Sequence, residues 1–435
     1  MADNHQTRFR AAQWRMLLAS MFCYFFYYTG RQTFGFAIPG IEAELGLSKT
    51  QLGGAGLVLL WSYAIGQSIN GNLGDKFGGR RMMSLGAILS CGLNWVVSFS
   101  TGLVSLLVPW GINGYAQAMA WAPGSRLLAN WWGPQERGKA FGLFVFAAGM
   151  SSVLSFTTSL VVLEVLELDW RWIFRGPVLL LLVGGVIYYL IVRDRPQDLG
   201  FVPIADEGTQ ADDADQVQSG SVAADDFDQT SLTRYKHALT NWRFLIAGVA
   251  IGFQGIARYG LIFWVPVHFL SDTWKKDPSG KWISLALAIG MAMGALTSGW
   301  LSDRAFSARR SPIITICLSL TAVGAAGLYF LPAEQKLLGI VLLFLCGFFV
   351  FGSQSAFWAL CPDLLGRRCA GTGAGVMNTF QYGFAGVGEV FIGWMIENHK
   401  IEGPDGLLID NTAIVFPIVA VVALLGALIS PLIRR

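Results

Sequence analysis

Apolar residues fall in long blocks along the chain, for example at residues 14–26, 178–192 and 413–433. A helix needs about 20 apolar residues to cross a hydrocarbon core roughly 30 Å thick. Against that length, the pattern predicts an all-α membrane protein with twelve transmembrane helices, here called spans 1 to 12. In chain order, the spans are expected near residues 15–40, 50–74, 82–101, 103–130, 138–163, 170–192, 242–271, 282–303, 312–331, 335–361, 368–397 and 411–433. An outer-membrane barrel is not indicated, because its strands would alternate polar and apolar residues.

The composition agrees with a membrane protein, since 54% of the 435 residues are hydrophobic and 14% are charged. A soluble domain carries more charge on its surface. The net charge of +3 identifies no partner, but most of the 31 Lys and Arg residues lie in loops on the same side as the N-terminus. The positive-inside rule then places both termini in the cytoplasm and the chain in the inner membrane. We expect a monomer surrounded by lipid, without a nucleic-acid partner.

One polar stretch divides the apolar pattern in two. Between Asp206 and Asp228 the chain carries eight acidic residues and no basic one. Such a segment cannot bury enough apolar surface to fold alone. The sequence therefore predicts six-helix halves at 1–193 and 242–435, joined by a mostly disordered cytoplasmic linker at 194–241. A regulatory role for the linker remains open.

The two halves resemble each other. GNLGDKFGGRR (71–81) follows span 2, and GWLSDRAFSARR (299–310) follows span 8. Arg31 in span 1 lies 44 residues before Asp75, and Arg258 in span 7 lies 45 residues before Asp303. A polar residue that recurs at the same depth in both halves indicates an internal duplication, with the halves related by an axis along the membrane normal.

The duplicated loop motif also suggests a gate. Asp75 and Asp303 are expected at cytoplasmic helix ends, with basic residues close behind, and can pair across helices when that side closes. Arg126, at the cytoplasmic end of span 4, is a third gating candidate. The alternative for all three is that they only set the topology.

Polar residues follow helical spacing on several of the apolar spans. An arginine at mid-membrane costs several kcal/mol unless it faces protein, water or an anion. Residues at i, i+4 and i+7 share one helix face, so each polar stripe is expected to face a common interior. The stripes are Tyr24, Tyr28 and Arg31 in span 1; Tyr63, Gln67 and Asn70 in span 2; Gln254 and Arg258 in span 7; and Asn378, Tyr382, Ala385 and Glu389 in span 11.

If the halves pack face to face, Arg31 and Arg258 meet near the midplane. Two guanidiniums repel each other unless a dianion lies between them, held by bidentate charge-assisted hydrogen bonds. Phosphate or phosphonate meets that demand better than sulfonate or carboxylate. The alternative is that each arginine pairs with an acid inside the membrane. Only Glu389 lies well inside a span, and one carboxylate cannot neutralise both.

Several motifs resemble the organophosphate:phosphate antiporters of the major facilitator superfamily. They are YYTGRQTF (27–34), AMAWAPGSRLLANWWGPQERG (118–138), RYGLIFWVP (258–266) and the loop GWLSDR. The resemblance implies the major facilitator fold, in which Arg31 and Arg258 hold the phosphate. It further implies that Tyr24, Tyr28 and Tyr382 line the site, and it covers most of the chain outside the linker.

The chain departs from that family's best-known pattern at three positions. Gln67 replaces a lysine, Ala148 lies about where a histidine is expected, and Phe263 replaces an acid before Trp264. The pocket is therefore expected to be less basic, and the exact substrate cannot be carried over. Glu389 has three open explanations: it binds a substrate ammonium, it titrates as a coupling proton site, or it pairs with an arginine.

These observations predict a secondary active transporter of a small organic phosphate, phosphonate or related anion, with inorganic phosphate as the exchanged anion. The alternatives are a proton-coupled organic-anion symporter that uses Glu389 and a transporter-like membrane sensor. No enzyme is indicated, because the sequence shows no nucleophile, base and metal constellation and no Walker loop. The scattered cysteines and histidines predict neither a metal site nor a cofactor. Trp121, Trp358 and Asn113 either line the path or only pack.

Overall fold

The structure is a computed structural model of the chain, and it describes residues 2–202, 231–270, 280–305, 310–332, 335–365, 370–402 and 408–433. The fold is the predicted all-α membrane fold of twelve spans in two six-helix halves. Among the described residues, seven helices are long and apolar enough to cross a membrane, those of spans 2, 5, 6, 7, 9, 10 and 12. Spans 1, 4 and 6 are each divided into two helices.

The N-terminal half runs from span 1 to span 6. Its helices are Ala2–Tyr27 and Phe34–Leu45 (span 1), Lys49–Phe77 (span 2), Gly79–Val97 (span 3), Leu103–Gln117 and Trp121–Trp131 (span 4), Pro134–Leu160 (span 5), and Arg171–Arg175 and Val178–Ile191 (span 6). Pro123 explains the division of span 4. Proline lacks the N–H that would bond to the carbonyl of Met119, and its ring crowds that carbonyl.

The C-terminal half contains spans 7 to 12. Its helices are Ser231–Thr240, Trp242–Phe269 (span 7), Leu285–Ala305 (span 8), Arg310–Tyr329 (span 9), Lys336–Leu365 (span 10), Ala370–Asn398 (span 11) and Val415–Ile429 (span 12). The strands Lys400–Glu402 and Leu408–Asp410 form an antiparallel hairpin between spans 11 and 12, with Ile401 opposite Ile409.

The helix Ser231–Thr240 lies inside the segment 194–241 that the sequence assigns to the linker. Ala238 of this helix is fully buried. Asn241 caps span 7 by accepting from the backbone N of Phe244 (3.2 Å), and it donates to the carbonyl of Leu364 (3.2 Å). Residues 231–241, which the sequence assigned to the linker, are therefore folded against the second half. The acidic run falls in residues 203–230, outside the described residues.

Packing within the halves confirms the pseudo-symmetry. Span 1 packs on spans 5 and 6, span 2 on span 4, and span 3 on spans 4 and 6. Span 7 likewise packs on spans 11 and 12, span 8 on span 10, and span 9 on spans 10 and 12. The halves meet mainly where span 2 packs on span 11, span 5 on span 8, and span 1 on span 7. Exchanging the halves swaps the first two contacts and preserves the third, as a two-fold axis requires.

The halves are in close contact at the end of the molecule remote from the chain termini, here called the distal end. A Cβ on Gly53 in span 2 would lie 2.4 Å from the carbonyl oxygen of Glu389 in span 11, so only glycine allows this approach. Lys49 bonds to Glu42 of its own half and to Asp410 of the other half, at 2.6 Å each. Thr50 donates its hydroxyl to Glu397, again between the halves. Close packing, the Lys49–Asp410 ion pair and the Thr50–Glu397 hydrogen bond therefore hold the distal end shut.

Candidate substrate site

A cavity lies between the halves. Spans 1, 2, 4 and 5 line it from one side and spans 7, 8, 10 and 11 from the other. Its lining residues are Tyr24, Tyr28, Arg31, Tyr63, Trp121, Val145, Ala148, Arg258, Ala295, Phe351, Gln354, Trp358, Asn378 and Tyr382. Both arginines of the duplicated pattern therefore face one chamber on the pseudo-symmetry axis.

Arg31 is presented by a break in span 1. A short 3-10 turn, Tyr28–Gly30, ends the first helix, and the second begins at Phe34. The guanidinium lies over the rings of Tyr28 (4.3 Å) and Tyr63 (4.6 Å), which favours a cation through the ring quadrupole. The residue is only 3% exposed, and its Nε and Nη1 have no hydrogen-bond partner among the described residues.

Side chains from spans 3 and 4 stabilise this break. The carbonyl of Gly30 accepts from Asn113 (2.8 Å) and Asn94 (3.1 Å), which replaces the helical hydrogen bond that the break removes. Asn113 in turn accepts from Ser90 at 2.7 Å. A Cβ on Gly30 would lie 2.5 Å from Nε2 of Gln117, so a larger residue there would displace the polar cluster.

Serines of span 5 hold the other side of the turn. Ser151 accepts from the backbone N of Tyr28 (2.9 Å), and Ser155 donates to its carbonyl (3.1 Å). The backbone that carries Arg31 is thus fixed on both sides by buried polar side chains.

Arg258 is presented by an unbroken helix, span 7. Its Nη1 donates to Oε1 of Gln354 (2.8 Å), and its guanidinium lies 4.4 Å from the ring centre of Phe351. The residue is 2% exposed, and its Nε has no partner among the described residues.

Three glutamines form a hydrogen-bond relay behind Arg258. Gln354 donates to Gln381 (3.4 Å), Gln381 donates to Gln254 (2.7 Å), and Gln254 donates to the carbonyl of Val350 (2.7 Å). Each amide uses its oxygen to accept and its nitrogen to donate. The relay therefore fixes the orientation of Gln354, which then directs its oxygen at Arg258.

The electrostatics of the cavity favour an anion. Among the described residues that line it, two are cationic and none is acidic. The ion pairs between described residues do not include Arg31 or Arg258. Two buried guanidiniums with free N–H donors are costly alone, and a doubly charged anion between them would satisfy both charge and hydrogen bonds.

The structure separates the predicted substrate residues into two groups. Tyr24, Tyr28, Tyr382 and Asn378 line the cavity with the two arginines. Gln67, Gln254 and Glu389 are not among its lining residues. Gln67 donates to the carbonyl of Ala118 at 3.5 Å, and Gln254 belongs to the relay behind Arg258.

Glu389 lies closer to the distal end than the cavity does. It is seven residues beyond Tyr382, or about 10 Å along a helix, and is fully buried. Glycines of span 2 pack against it: a Cβ on Gly56 would lie 2.7 Å from Cγ of Glu389. No ion pair between described residues joins Glu389 to Arg31 or Arg258, so pairing with an arginine has no support from the geometry.

The candidate gating residues lie at the end of the molecule that carries the termini. Asp75 is in the last turn of the span 2 helix and Asp303 near the end of the span 8 helix; their side chains lie outside what the structure describes. Arg126 is exposed on the second helix of span 4. Their gating role stays a prediction.

The sequence did not single out the lining residues Val145, Ala295, Phe351 and Gln354. Gln354 and Phe351 matter most, because both contact Arg258. Both come from span 10, where one glutamine interrupts a run of small and apolar residues. A comparison of the two halves could have identified Gln354, because span 10 corresponds to span 4 and span 4 also lines the cavity. Trp121 and Trp358, from these two spans, do line it.

Comparison with known proteins gives a consistent family. The sequence profile of the Major Facilitator Superfamily matches residues 20–388. The chain is 28% identical over 404 residues to a probable hexose phosphate transport protein of Chlamydia pneumoniae, covering 90% of this chain and 86% of that protein. It is 26% identical over 405 residues to the glycerol-3-phosphate transporter of Bacillus subtilis, covering 90% and 88%.

Two further likenesses concern a sensor and a solved structure. The chain is 25% identical over 401 residues to the membrane sensor protein UhpC of Escherichia coli, covering 91% and 88%. The crystal structure of a bacterial homolog of the human lysosomal transporter Spinster, inward-facing and unoccupied, matches with a TM-score of 0.68 at 14% identity, covering 97% of this chain and 95% of that chain. The second likeness concerns the fold alone.

Proposed function

Because this chain belongs to the Major Facilitator Superfamily, we propose that it is a secondary active transporter of a small organic phosphate or phosphonate. The observation that carries the proposal is the pair of buried guanidiniums, Arg31 and Arg258, which face one cavity between the halves with unused N–H donors. The relatives named as hexose phosphate and glycerol-3-phosphate transporters support the same substrate class.

Phosphate suits the site for a geometric reason. The planar fork of an arginine matches two oxygens of a phosphate, and a dianion has enough oxygens for two such forks. Contacts from both halves to one anion draw the halves together around it. Rocking of the halves about the anion would then expose the site to each side of the membrane in turn.

The cavity lining supports a substrate whose organic part carries no positive charge. Of the three explanations left open for Glu389, binding of a substrate ammonium has no support from the cavity, because its described lining contains no acidic residue and Glu389 is not part of it. Trp121, Trp358 and Phe351 instead offer aromatic faces beside the arginines. Neutral organic groups, including the carbon face of a sugar ring, can pack on such surfaces.

The sidedness follows from the charged loops. Most basic residues share a side with the termini, which supports both termini in the cytoplasm of an inner-membrane protein. The distal end then faces outward, and its close packing corresponds to a transporter that is shut on the outside. We further propose inorganic phosphate as the exchanged anion and a monomer as the working unit.

An exchange assay tests the proposal. Proteoliposomes that contain the protein are loaded with labelled inorganic phosphate, and release is measured when external anions are added. Organic phosphates or phosphonates with neutral organic groups should release the label, and sulfonates and carboxylates should do so less. Arg258→Lys should stop release, whereas Arg243→Lys, the matched change outside the cavity in the same helix, should preserve it.

A membrane sensor is the second candidate, favoured by the similarity to UhpC. A sensor would bind the same anions but would not exchange them. Organic phosphate that stabilises the protein against heat, without any release of labelled phosphate, would replace the transporter proposal with the sensor. Absence of both effects would overturn the anion site itself.

A further inference from the structure

Glu389 is a carboxyl group buried between the halves without a partner. Its exposure is 0%, and neither carboxylate oxygen has a hydrogen-bond partner among the described residues. The indole of Trp264 faces it, but that N–H is also without a partner within bonding distance. An ionised carboxylate is strongly disfavoured in such surroundings, so they favour the neutral acid with a proton bound.

Most charged and titratable groups on the surrounding elements are engaged elsewhere, whereas the buried hydroxyl of Tyr259 in span 7 has no hydrogen-bond partner among the described residues. Span 2 contributes Lys49, which is paired with Glu42 and Asp410, and Tyr63, which lies under Arg31. Span 7 contributes Arg258, bonded to Gln354, and His268, whose Nδ1 lies 2.9 Å from the hydroxyl of Thr412. Span 11 itself contributes Tyr382, in the cavity lining, and Glu397, bonded to Thr50.

The position of Glu389 makes its burial depend on the closure of the distal end. Its side chain packs against Gly56 and its carbonyl against Gly53, both of the opposite half. When the halves separate at this end, span 2 must leave span 11. Water then reaches the carboxyl group, and hydration removes the cost of ionisation.

We propose that Glu389 is a proton-binding site that couples protonation to closure of the distal end. Opening converts the neutral acid to a carboxylate and releases one proton to the distal solution. Closing takes up one proton from the same solution and buries it between spans 2 and 11. The proton is thus a second ligand of the protein, bound about 10 Å from Tyr382 of the anion site, along the same helix.

The sign of the pH effect follows from proton counting. The closed state holds one proton more than the open state, so raising the pH favours the open state. For one proton, the ratio of open to closed molecules rises by up to about tenfold per pH unit. An acidic medium on the distal side therefore holds the transporter shut on that side.

Distance measurements between spin labels test this coupling. The labels are placed at Thr101, between spans 3 and 4, and at Lys400, after span 11; both are exposed at the distal end of opposite halves. The six cysteines are first replaced, and the distances are measured in lipid nanodiscs from pH 5.5 to 8.5. No substrate is added, so a failure of anion exchange would not affect the result.

The wild-type distribution should shift toward the longer distance as the pH rises. Glu389→Gln, which is neutral at every pH, should keep the short distance throughout, and Glu389→Asp should restore the pH dependence. Glu402→Gln, an exposed acid at the same end, is the matched control and should behave as wild type.

Two results would overturn the proposal. One is a wild-type distribution that does not change with pH, which needs no variant and so cannot be attributed to misfolding. The other is a pH dependence that persists unchanged in Glu389→Gln, which would assign the effect to another group such as His268.

Discussion

The two arginines have the same charge and corresponding positions, yet the halves present them differently. Arg31 follows a break in span 1, whose exposed carbonyl is satisfied by Asn113 and Asn94. Arg258 lies in a continuous helix, and a relay of glutamines orients its partner Gln354. One half therefore positions its guanidinium through the backbone, and the other positions it through side chains.

This difference shows what an internal duplication preserves. Helix order, helix pairing and the location of the charge agree between the halves. The contacts that position the two arginines differ between the halves, because many arrangements of side chains and backbone can fix one guanidinium. Substitutions at the two arginines should therefore act alike, whereas substitutions of their supports should act differently.

The largest effect is expected from Arg31→Lys and Arg258→Lys. Lysine keeps the charge but loses the planar fork, so each change removes charge-assisted bonds worth about 1.5–3 kcal/mol apiece. We expect at least about 100-fold weaker binding of an organic phosphate in either variant, measured by ligand-induced thermal stabilisation in detergent. Full stabilisation of one variant by ligand would mean that only the other arginine binds the anion.

Asn113→Ala should damage both the fold and the site. It removes a donor to Gly30 and leaves a buried carbonyl less satisfied, at a cost of about 1–3 kcal/mol. We expect a lower melting temperature without ligand and weaker binding as well, because the break that presents Arg31 loses its support. An unchanged melting temperature would show that Asn94 alone suffices to hold the break.

Gln354→Leu should affect binding much more than stability. The variant removes the oxygen that orients Arg258 but keeps side-chain volume beside the cavity. We expect roughly tenfold weaker binding, in line with the loss of a bond to a charged group, and a nearly unchanged melting temperature without ligand. If Gln354→Leu lowered the melting temperature as much as Asn113→Ala does, the supports of Arg31 and Arg258 would not differ in their effect on stability.

The smallest effect is expected from the linker. Residues 206–228, outside the described part of the chain, can be replaced by a Gly/Ser segment of equal length that keeps the reach and removes the charge. Uptake in cells at matched expression should change less than about twofold. A loss greater than tenfold would mean that the acidic run has a function beyond joining the halves.

The sequence predicted the spans and half of the cavity lining because both depend on periodic patterns. Apolar blocks of membrane length located the helices, and polar residues at i, i+4 and i+7 located Tyr24, Tyr28 and Arg31 on one face. The division of span 4 also had a local signal in Pro123. These features need no knowledge of which helices are neighbours.

Features that depend on neighbouring helices could not be predicted in this way. The break at Gly30 has no proline, and its cause lies in Asn94 and Asn113, far away in the chain. Glu389 shares a helix face with Tyr382, and periodicity gives the face but does not show where along the helix the cavity ends. Gln254 also shares a face with Arg258, yet a partner from span 11 draws it into the relay.

The glutamine relay behind Arg258 has a mechanical consequence. It joins side chains of spans 7, 10 and 11 to one guanidinium. An anion that pulls on Arg258 therefore exerts its force on three connected helices, and none of them can move separately without breaking a buried hydrogen bond. A displacement of Arg258 toward a bound anion would therefore move spans 7, 10 and 11 together.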